Sequence, residues 1–534
     1  MSGLSPFTGL LGRVVLNAIN KRKHQRTLSD LKSSDLYGDA RFLTSNEIVD
    51  LDLTVESDSS ANGILLGGQA AAGEVDLPVI YKGDRHLITL APTRSGKGAC
   101  HIIPNLILYP GSVFVIDVKG ENFLATQRCR RGYGQVHVFA PYDDRLVSVG
   151  INPLDFVRKG TKDEFTDAQI LASLILEDSG SDRDKFWEQE GRNLIAALII
   201  FTLHNAPPAD RNIGMIKRLL TLSPDKLDAM FQNMSMHPNS AVRAAGSSFF
   251  NMSDETRSSV LTTANNQMLC WAPGGVLDEA TRKSDFSFQD LRKKGTSFFL
   301  IIPPDRLNEC RSLLRIFSGM AVKTLSRAYP NPTDKSILFL LDEFANLGRM
   351  EEFENGLTIL AGFKIQLWII VQDLGQLEFL YKEKTRTIIA NSGAFMAFNV
   401  QDLETAKHIS EKLGQKTVVT ETPSQRQASA FSVDVSTGHA LHGRPLLSPD
   451  EVRRLGRHTQ LIFIDDHRPI HGSKWYYFER PEFKSYYDDP RQLLAAATLP
   501  SSVIGVRSPK SALPHPARSS QGPSALRSPA NGTP

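Results

Sequence analysis

Hydrophobic and polar positions follow two registers along this chain. From about residue 84 to 155, short apolar runs rich in β-branched residues alternate with helical stretches. His86 to Leu90 is such a run; a glycine-containing loop, a helix candidate ending at Tyr109 and the run 112–118 (SVFVIDV) follow, the last set off by Pro110 and Gly111. This alternation predicts βαβ units, and therefore a parallel sheet covered by helices. Between about 162 and 292 the strand signal vanishes, and Ala168, Leu171, Leu174 and then Leu219, Leu222, Leu227 keep helical spacing. An all-helical insertion is expected there. Strand-like runs return at 297–302, 336–341, 365–371 and 395–400, so the second half of the chain completes the sheet. Phe344, Leu347, Phe353, Leu357 and Leu360 read as a further helical stripe.

The ends of the chain depart from this grammar. Leu4, Phe7, Leu11, Val14 and Ala18 recur at three and four spacing before the basic run Lys21, Arg22, Lys23. That pattern fits a helix lying on an anionic membrane or docking a partner, but Pro6, Gly9 and Gly12 weaken it, and a frayed terminus is the other reading. After about residue 500 the chain is rich in Ser, Pro, Gly and Ala, with Arg507, Lys510, Arg518 and Arg527 and no acidic residue. Such a composition buries too little apolar surface to order itself, so a disordered basic tail is expected, either an inert tether or a non-specific DNA contact. The apolar stretch 194–203 (LIAALIIFTL) has about half the roughly 20 residues a bilayer requires, and reads as a buried core helix.

Composition narrows the class. The 534 residues, 41% hydrophobic and 22% charged, suit a globular protein of two or three packed units. Cys100, Cys129, Cys270 and Cys310 form no metal-ligand spacing, which fits a reducing cytoplasm and argues against a structural zinc. A net charge of +3 does not by itself argue for nucleic acid, which is gripped through a concentrated basic face.

Candidate chemistry begins at residues 91–98, APTRSGKG. A phosphate-binding loop reads G-x-x-x-x-G-K-[ST], its backbone N–H groups surrounding phosphates while the lysine reaches the β and γ oxygens. Thr93, Arg94, Ser95, Gly96, Lys97 and Gly98 are the expected nucleotide-binding residues, with Lys97 as the gripping cation. Ala91 replaces the first glycine, and Gly98 replaces the hydroxyl residue that usually ligates magnesium. Residues 337–343, ILFLLDE, read as a buried strand ending in two carboxylates. Asp342 is expected to hold Mg2+ and Glu343 to polarise the attacking water on ATP. Gln372, directly after the strand ending at Val371, is placed to sense the γ-phosphate or to be a surface amide. Asp117, Lys119 and Glu121 either line the same edge or pair within a solvated loop.

APTRSGKG, IIPNLI, VIDVKGEN, NPL at 152–154, Phe186-Trp187, IIPPDRL, LLDEFANLGRM, IIVQDLGQL and LLSPDEVRRL together resemble the coupling ATPases of type IV secretion, the conjugative DNA-transfer proteins of the TraG and TraD kind. The resemblance runs from about residue 35 to 485. It implies an α/β, RecA-like P-loop nucleotide-binding domain (35–160 and 293–490) with an inserted all-alpha domain (161–292), between an N-terminal segment (1–34) and the tail (491–534). It implies a homo-hexameric ring, driven by ATP hydrolysis, that delivers relaxase-bound single-stranded DNA or protein substrates to a type IV secretion channel. Lys97 carries over as the Walker A lysine, Asp342 and Glu343 as the Walker B pair, Gln372 as the sensor, and the helical insertion as the substrate-recognition unit. Typical members begin with two transmembrane helices, whereas this sequence starts near the cytosolic portion; a cytoplasmic protein recruited by a partner, or one touching the inner membrane through residues 1–25, is expected. Other readings are a DNA pump outside secretion and a non-hydrolysing adaptor. In a ring motor an arginine from the neighbouring subunit is expected to complete the site, and Arg349 and Arg386 both lie in plausible regions; Arg292, Lys293 and Lys294 are either a solvated face or a DNA contact.

Overall fold

The computed structural model describes residues 35–54, 63–69, 76–177, 184–429 and 432–496. The N-terminal amphipathic pattern and all of the tail beyond residue 496 lie outside these residues. Eleven strands form one sheet: β1 (Ile64–Gln69), β2 (Leu77–Tyr81), β3 (His86–Leu90), β4 (Val113–Ile116), β5 (Val136–Phe139), β6 (Ser297–Leu300), β7 (Ile337–Leu341), β8 (Ile365–Val371), β9 (Ser392–Ala397), β12 (Thr459–Ile464) and β13 (Ile470–Ser473), with β10 (Gln415–Ser429) and β11 (Ser432–Pro445) pairing separately as a long hairpin. The spatial order is β2-β1-β13-β12-β9-β3-β8-β7-β4-β6-β5.

From β9 to β5 every neighbouring pair is parallel, as the βαβ pattern predicts. The other four strands extend the sheet antiparallel, making it mixed. The central strands are apolar on both faces because both are covered. Ile337, Phe339 and Leu341 of β7 pack in one core with Leu171, Leu198 and Phe317 from helices Glu164–Ile175, Lys185–Asn205 and Arg311–Leu325. Leu338 and Leu340 point into the other, with Leu106 and Phe123 from helices Ile103–Leu108 and Glu121–Arg131.

Between β5 and β6 the described residues hold helices and turns and no strand. Residues 194–203 are a continuous buried stretch of helix Lys185–Asn205, and no described helix is long and apolar enough to cross a membrane. The stripe from Phe344 to Leu360 is not one helix. It breaks into a 3-10 turn Phe344–Leu347, a short helix Glu351–Gly356 and a second turn Leu360–Phe363. Gly348 sits at φ 71 and ψ −164, where no helix continues, although the apolar side chains remain buried. Residues 490–496, where the tail was expected to begin, include a helical turn, Pro490–Ala496.

Register brings the chemistry to one edge. Leu90 of β3 lies beside Val371 of β8, Leu341 of β7 beside Ile369, and Ile116 of β4 beside Leu341. The residues following all four strands therefore emerge together at the C-terminal edge, where open α/β sheets bind ligands.

Candidate active site

Directly after β3, Ala91 N–H donates to Val371 O at 2.9 Å, tying the loop to the neighbouring strand. The loop then turns tightly: Ser95 N–H donates to Pro92 O at 3.2 Å, Arg94 has φ 62 and Gly96 φ 92. Gly96 is required twice over, since a Cβ there would also lie 2.6 Å from the Tyr476 ring. Lys97 opens a π-helical turn, Gly98–Ile102, that runs into helix Ile103–Leu108, where the sequence predicts a simple helix. The turn is pinned by His101, fully buried. Gln460 Nε2 donates to Leu66 O and Ser473 O, which aims its Oε1 at His101 Nε2, 2.9 Å away, so that nitrogen carries the proton. His101 Nδ1 then accepts from Thr89 Oγ1 at 3.2 Å, and Thr89 accepts from Trp368 Nε1 at 2.9 Å.

Lys97, Asp342, Glu343 and Gln372 meet in one cluster. Lys97 Nζ donates to Glu343 Oε1 at 2.5 Å and lies 3.1 Å from Asp342 Oδ1. Gln372 Nε2 donates to Glu343 Oε2 at 3.1 Å, and its own backbone N–H is held by Gln376 Oε1 at 3.0 Å. Glu343 itself sits in the left-handed region at φ 57, ψ 45, a strained conformation of the kind that concentrates at functional sites.

The two carboxylates are driven apart electrostatically. Burial opposes the charge on both, but Glu343 is held below the usual carboxylate range because the Lys97 charge and hydrogen bond outweigh it, with Gln372 assisting. Asp342 is pushed up by burial, with repulsion from Glu343 adding to it against the pull of Lys97. Burial also opposes the Lys97 charge, and Asp342 with Glu343 more than offsets it, so the lysine stays a cation. A third carboxylate, Asp117 at the end of β4, is pushed up to about 7, chiefly by burial, against the Phe123 N–H bond and with Asp342 adding to the rise.

Of the expected loop residues, Ser95 and Lys97 are buried, Gly96 and Gly98 half-buried, and Thr93 and Arg94 exposed. The run after β4 divides: Asp117 is buried in the site, whereas Lys119 and Glu121 are exposed and do not pair with it. Arg349 is engaged within the chain, its Nε 3.2 Å from Glu354 Oε2 and its N–H 3.2 Å from Glu177 Oε1. Arg386 is exposed on helix Lys384–Ala390. Arg292 is anchored on Leu325 O and Phe363 O, and Lys293 and Lys294 precede β6 at the opposite edge of the sheet.

Sequence reasoning missed Asn122, Asn399, Lys474 and Tyr476. Lys474, only 4% exposed, reaches under the loop: its Nζ donates to Ser95 O at 3.1 Å and Asn399 Oδ1 at 2.7 Å and lies 4.7 Å from the Phe398 ring centroid. The one available signal was a lysine embedded in the aromatic run SKWYYF, and its partner Ser95 is 379 residues away.

The donor set fits a magnesium nucleotide. Ser95 Oγ is buried without a hydrogen-bond partner, and Asp342 Oδ1, equally buried, has only the Lys97 cation 3.1 Å away, so phosphates, a hydrated cation and its waters would satisfy both. No group of three His, Cys, Asp or Glu able to hold a metal occurs among the described residues. Magnesium does not need one, since it commonly takes one or two carboxylates with phosphate oxygens and water.

Comparison with known proteins agrees with the resemblance. Protein VirD4 of Agrobacterium fabrum is 31% identical over 403 residues, 74% of this chain and 58% of that protein. Conjugal transfer protein TraG of Escherichia coli is 27% identical over 532 residues, covering 91% of this chain and 82% of TraG. The chain thus spans less than two thirds of the length of the VirD4 relatives it matches. Solved structures of the plasmid coupling protein TrwB, one with ADP and Mg2+ and one with the non-hydrolysable ATP analogue ADPNP, superpose with TM-score 0.60 over 82% of this chain and 94% of TrwB. At 17% and 16% identity that likeness establishes the fold, a RecA-like α/β nucleotide fold with a helical insertion. The model of the type IV secretory system conjugative DNA transfer family matches residues 31–499, and the chain belongs to that family.

Proposed function

We propose that the protein is an ATP-driven coupling motor that delivers DNA or protein substrates to a type IV secretion channel. The observation that carries this reading is the convergence of Lys97, Glu343 and Gln372 at the sheet edge, where one carboxylate is held at both oxygens. A carboxylate that keeps Gln372 on one oxygen and is released by Lys97 on the other suits aiming a water at a γ-phosphate, which favours a motor over a non-hydrolysing adaptor.

In this reading the loop from Thr93 to Gly98 surrounds the phosphates, and Lys97 exchanges its carboxylate contacts for phosphate oxygens. Glu343, freed at Oε1, orients and deprotonates the attacking water while Gln372 retains Oε2. Asp342 would hold Mg2+, directly or through water, and the cation when bound would supply charge neutralisation at the phosphates. Of the two arginines considered for the neighbouring site of a hexamer, Arg386 is exposed whereas Arg349 is held by Glu354, which favours Arg386. Residues 161–292 recognise the substrate, single-stranded DNA carrying a relaxase, and the motor works at the cytoplasmic face of the inner membrane.

Transfer assays test the reading. In a strain lacking its own copy, the wild-type gene restores DNA transfer and the Glu343→Gln gene does not; full restoration by Glu343→Gln would sink the motor.

A further inference from the structure

A P-loop that lacks its serine or threonine must find a magnesium ligand elsewhere. Around Gly98 the surroundings are open: among the described residues, outside its own turn and chain neighbours, the one heavy atom within 4 Å of a Cβ built there is Asn122 Oδ1, at 3.6 Å. Asn122 belongs to the first turn of helix Glu121–Arg131, which starts one residue after Gly120, at φ 70. Its side chain is not loose. It is 5% exposed, and its Nδ2 donates to Asp117 Oδ1 at 3.3 Å. Asp117 is fixed in turn by the Phe123 N–H on its other oxygen at 2.8 Å. With the amide nitrogen committed to Asp117, the amide oxygen is the atom that faces Gly98.

We propose that Asn122 Oδ1 supplies the neutral oxygen ligand, or the acceptor for a metal-bound water, that the hydroxyl at position 98 provides in an ordinary P-loop. A side chain on residue 98 would start 3.6 Å from Asn122 Oδ1, beside the space the carboxamide already faces. A neutral amide oxygen suits a hard cation, which prefers oxygen donors. Asp117 acts as the positioning residue: it keeps the amide from flipping, as outer partners of metal ligands do. The departure at Gly98 and the placement of Asn122 are then two halves of one exchange between the loop and the helix after β4. This inference rests on the magnesium-nucleotide reading of the site.

The test is Mg2+ titration of binding of a fluorescent, non-hydrolysable ATP analogue, begun in EDTA. Wild type that binds no nucleotide at all would overturn the site's reading, and this inference with it. For Asn122→Ala, metal-free affinity stays within twofold while the Mg2+ needed for half-saturation rises about tenfold or more; adding Gly98→Ser to that variant restores it. Equal loss of metal-free and Mg2+-dependent binding, or an unchanged Mg2+ requirement, overturns the assignment. Gly98→Ser alone leaves Asn122 in place and decides the matter even if Asn122→Ala does not fold. If Asn122 already fills the role, the Mg2+ requirement shifts by less than twofold; a drop of tenfold or more means the position was unfilled and the proposal is wrong.

Discussion

Lys97 Nζ stands 2.5 Å from Glu343 Oε1, so the residue that would grip phosphate holds the residue that would activate water. The two are 246 positions apart, and the parallel pairing of β3 with β8 and of β8 with β7 brings them together. Their variants should separate binding from chemistry. Lys97→Ala loses tight nucleotide binding together with at least about 10²-fold in hydrolysis, the cost of removing a preorganised charge. Glu343→Gln keeps the shape and the Gln372 contact, binds ATP normally, and loses about 10²–10⁴-fold in turnover. Equilibrium binding beside steady-state hydrolysis checks both.

Gln372, half-buried, donates to Glu343. Gln372→Ala therefore lowers kcat by about tenfold, the worth of one well-aimed hydrogen bond at roughly 1.4 kcal/mol, without weakening ATP binding. An unchanged kcat would return Gln372 to a purely structural part.

The two glycines flanking Lys97 are predicted to behave oppositely. Gly96→Ala meets both a positive φ of 92 and the Tyr476 ring, and destabilises by about 1–3 kcal/mol while abolishing nucleotide binding. Adding Tyr476→Ala recovers the part due to the ring and leaves the backbone strain. Gly98→Ala, in helical backbone with open space, leaves stability unchanged or raises it by up to about 1 kcal/mol. Urea denaturation measures all three.

His101 gives the fold an acid sensitivity. Burial, first among the causes, holds its pKa down at about 4, despite the Gln460 bond. A depressed folded value means the unfolded chain binds the proton first, so the contribution of neutral His101 is complete above about pH 6.5 and is lost as pH falls through about 4. His86, also held at about 4 by burial, adds in the same window. His101→Gln should flatten the fall in stability between pH 6.5 and 4 by on the order of 3 kcal/mol at most. A pH series of urea midpoints reads this slope.

Most of the parallel sheet was legible because its strands, such as 337–341 and 365–371, are buried on both faces and therefore read as unbroken apolar runs. The antiparallel extension was not. β1 carries Gly67 and Gly68 in its pairing and β13 reads IHGS, so neither shows the signal of a doubly covered strand. The hairpin of β10 and β11 escaped for another reason: its strands pair with each other outside the main sheet, so a sequence such as QKTVVTETPSQRQAS needs no apolar face. At the site, the loop lysine and the acidic pair were visible as contiguous motifs. Asn122 and Lys474 were not, because each acts through a contact that only the folded chain creates.

Hydrolysis with and without single-stranded DNA, measured on wild type beside Lys97→Ala and Glu343→Gln, tests the motor most directly. Turnover that rises with DNA, falls as salt screens the phosphate contacts, and disappears in both variants is the predicted result. Turnover that persists in Glu343→Gln, or that ignores DNA at every salt concentration, would contradict it.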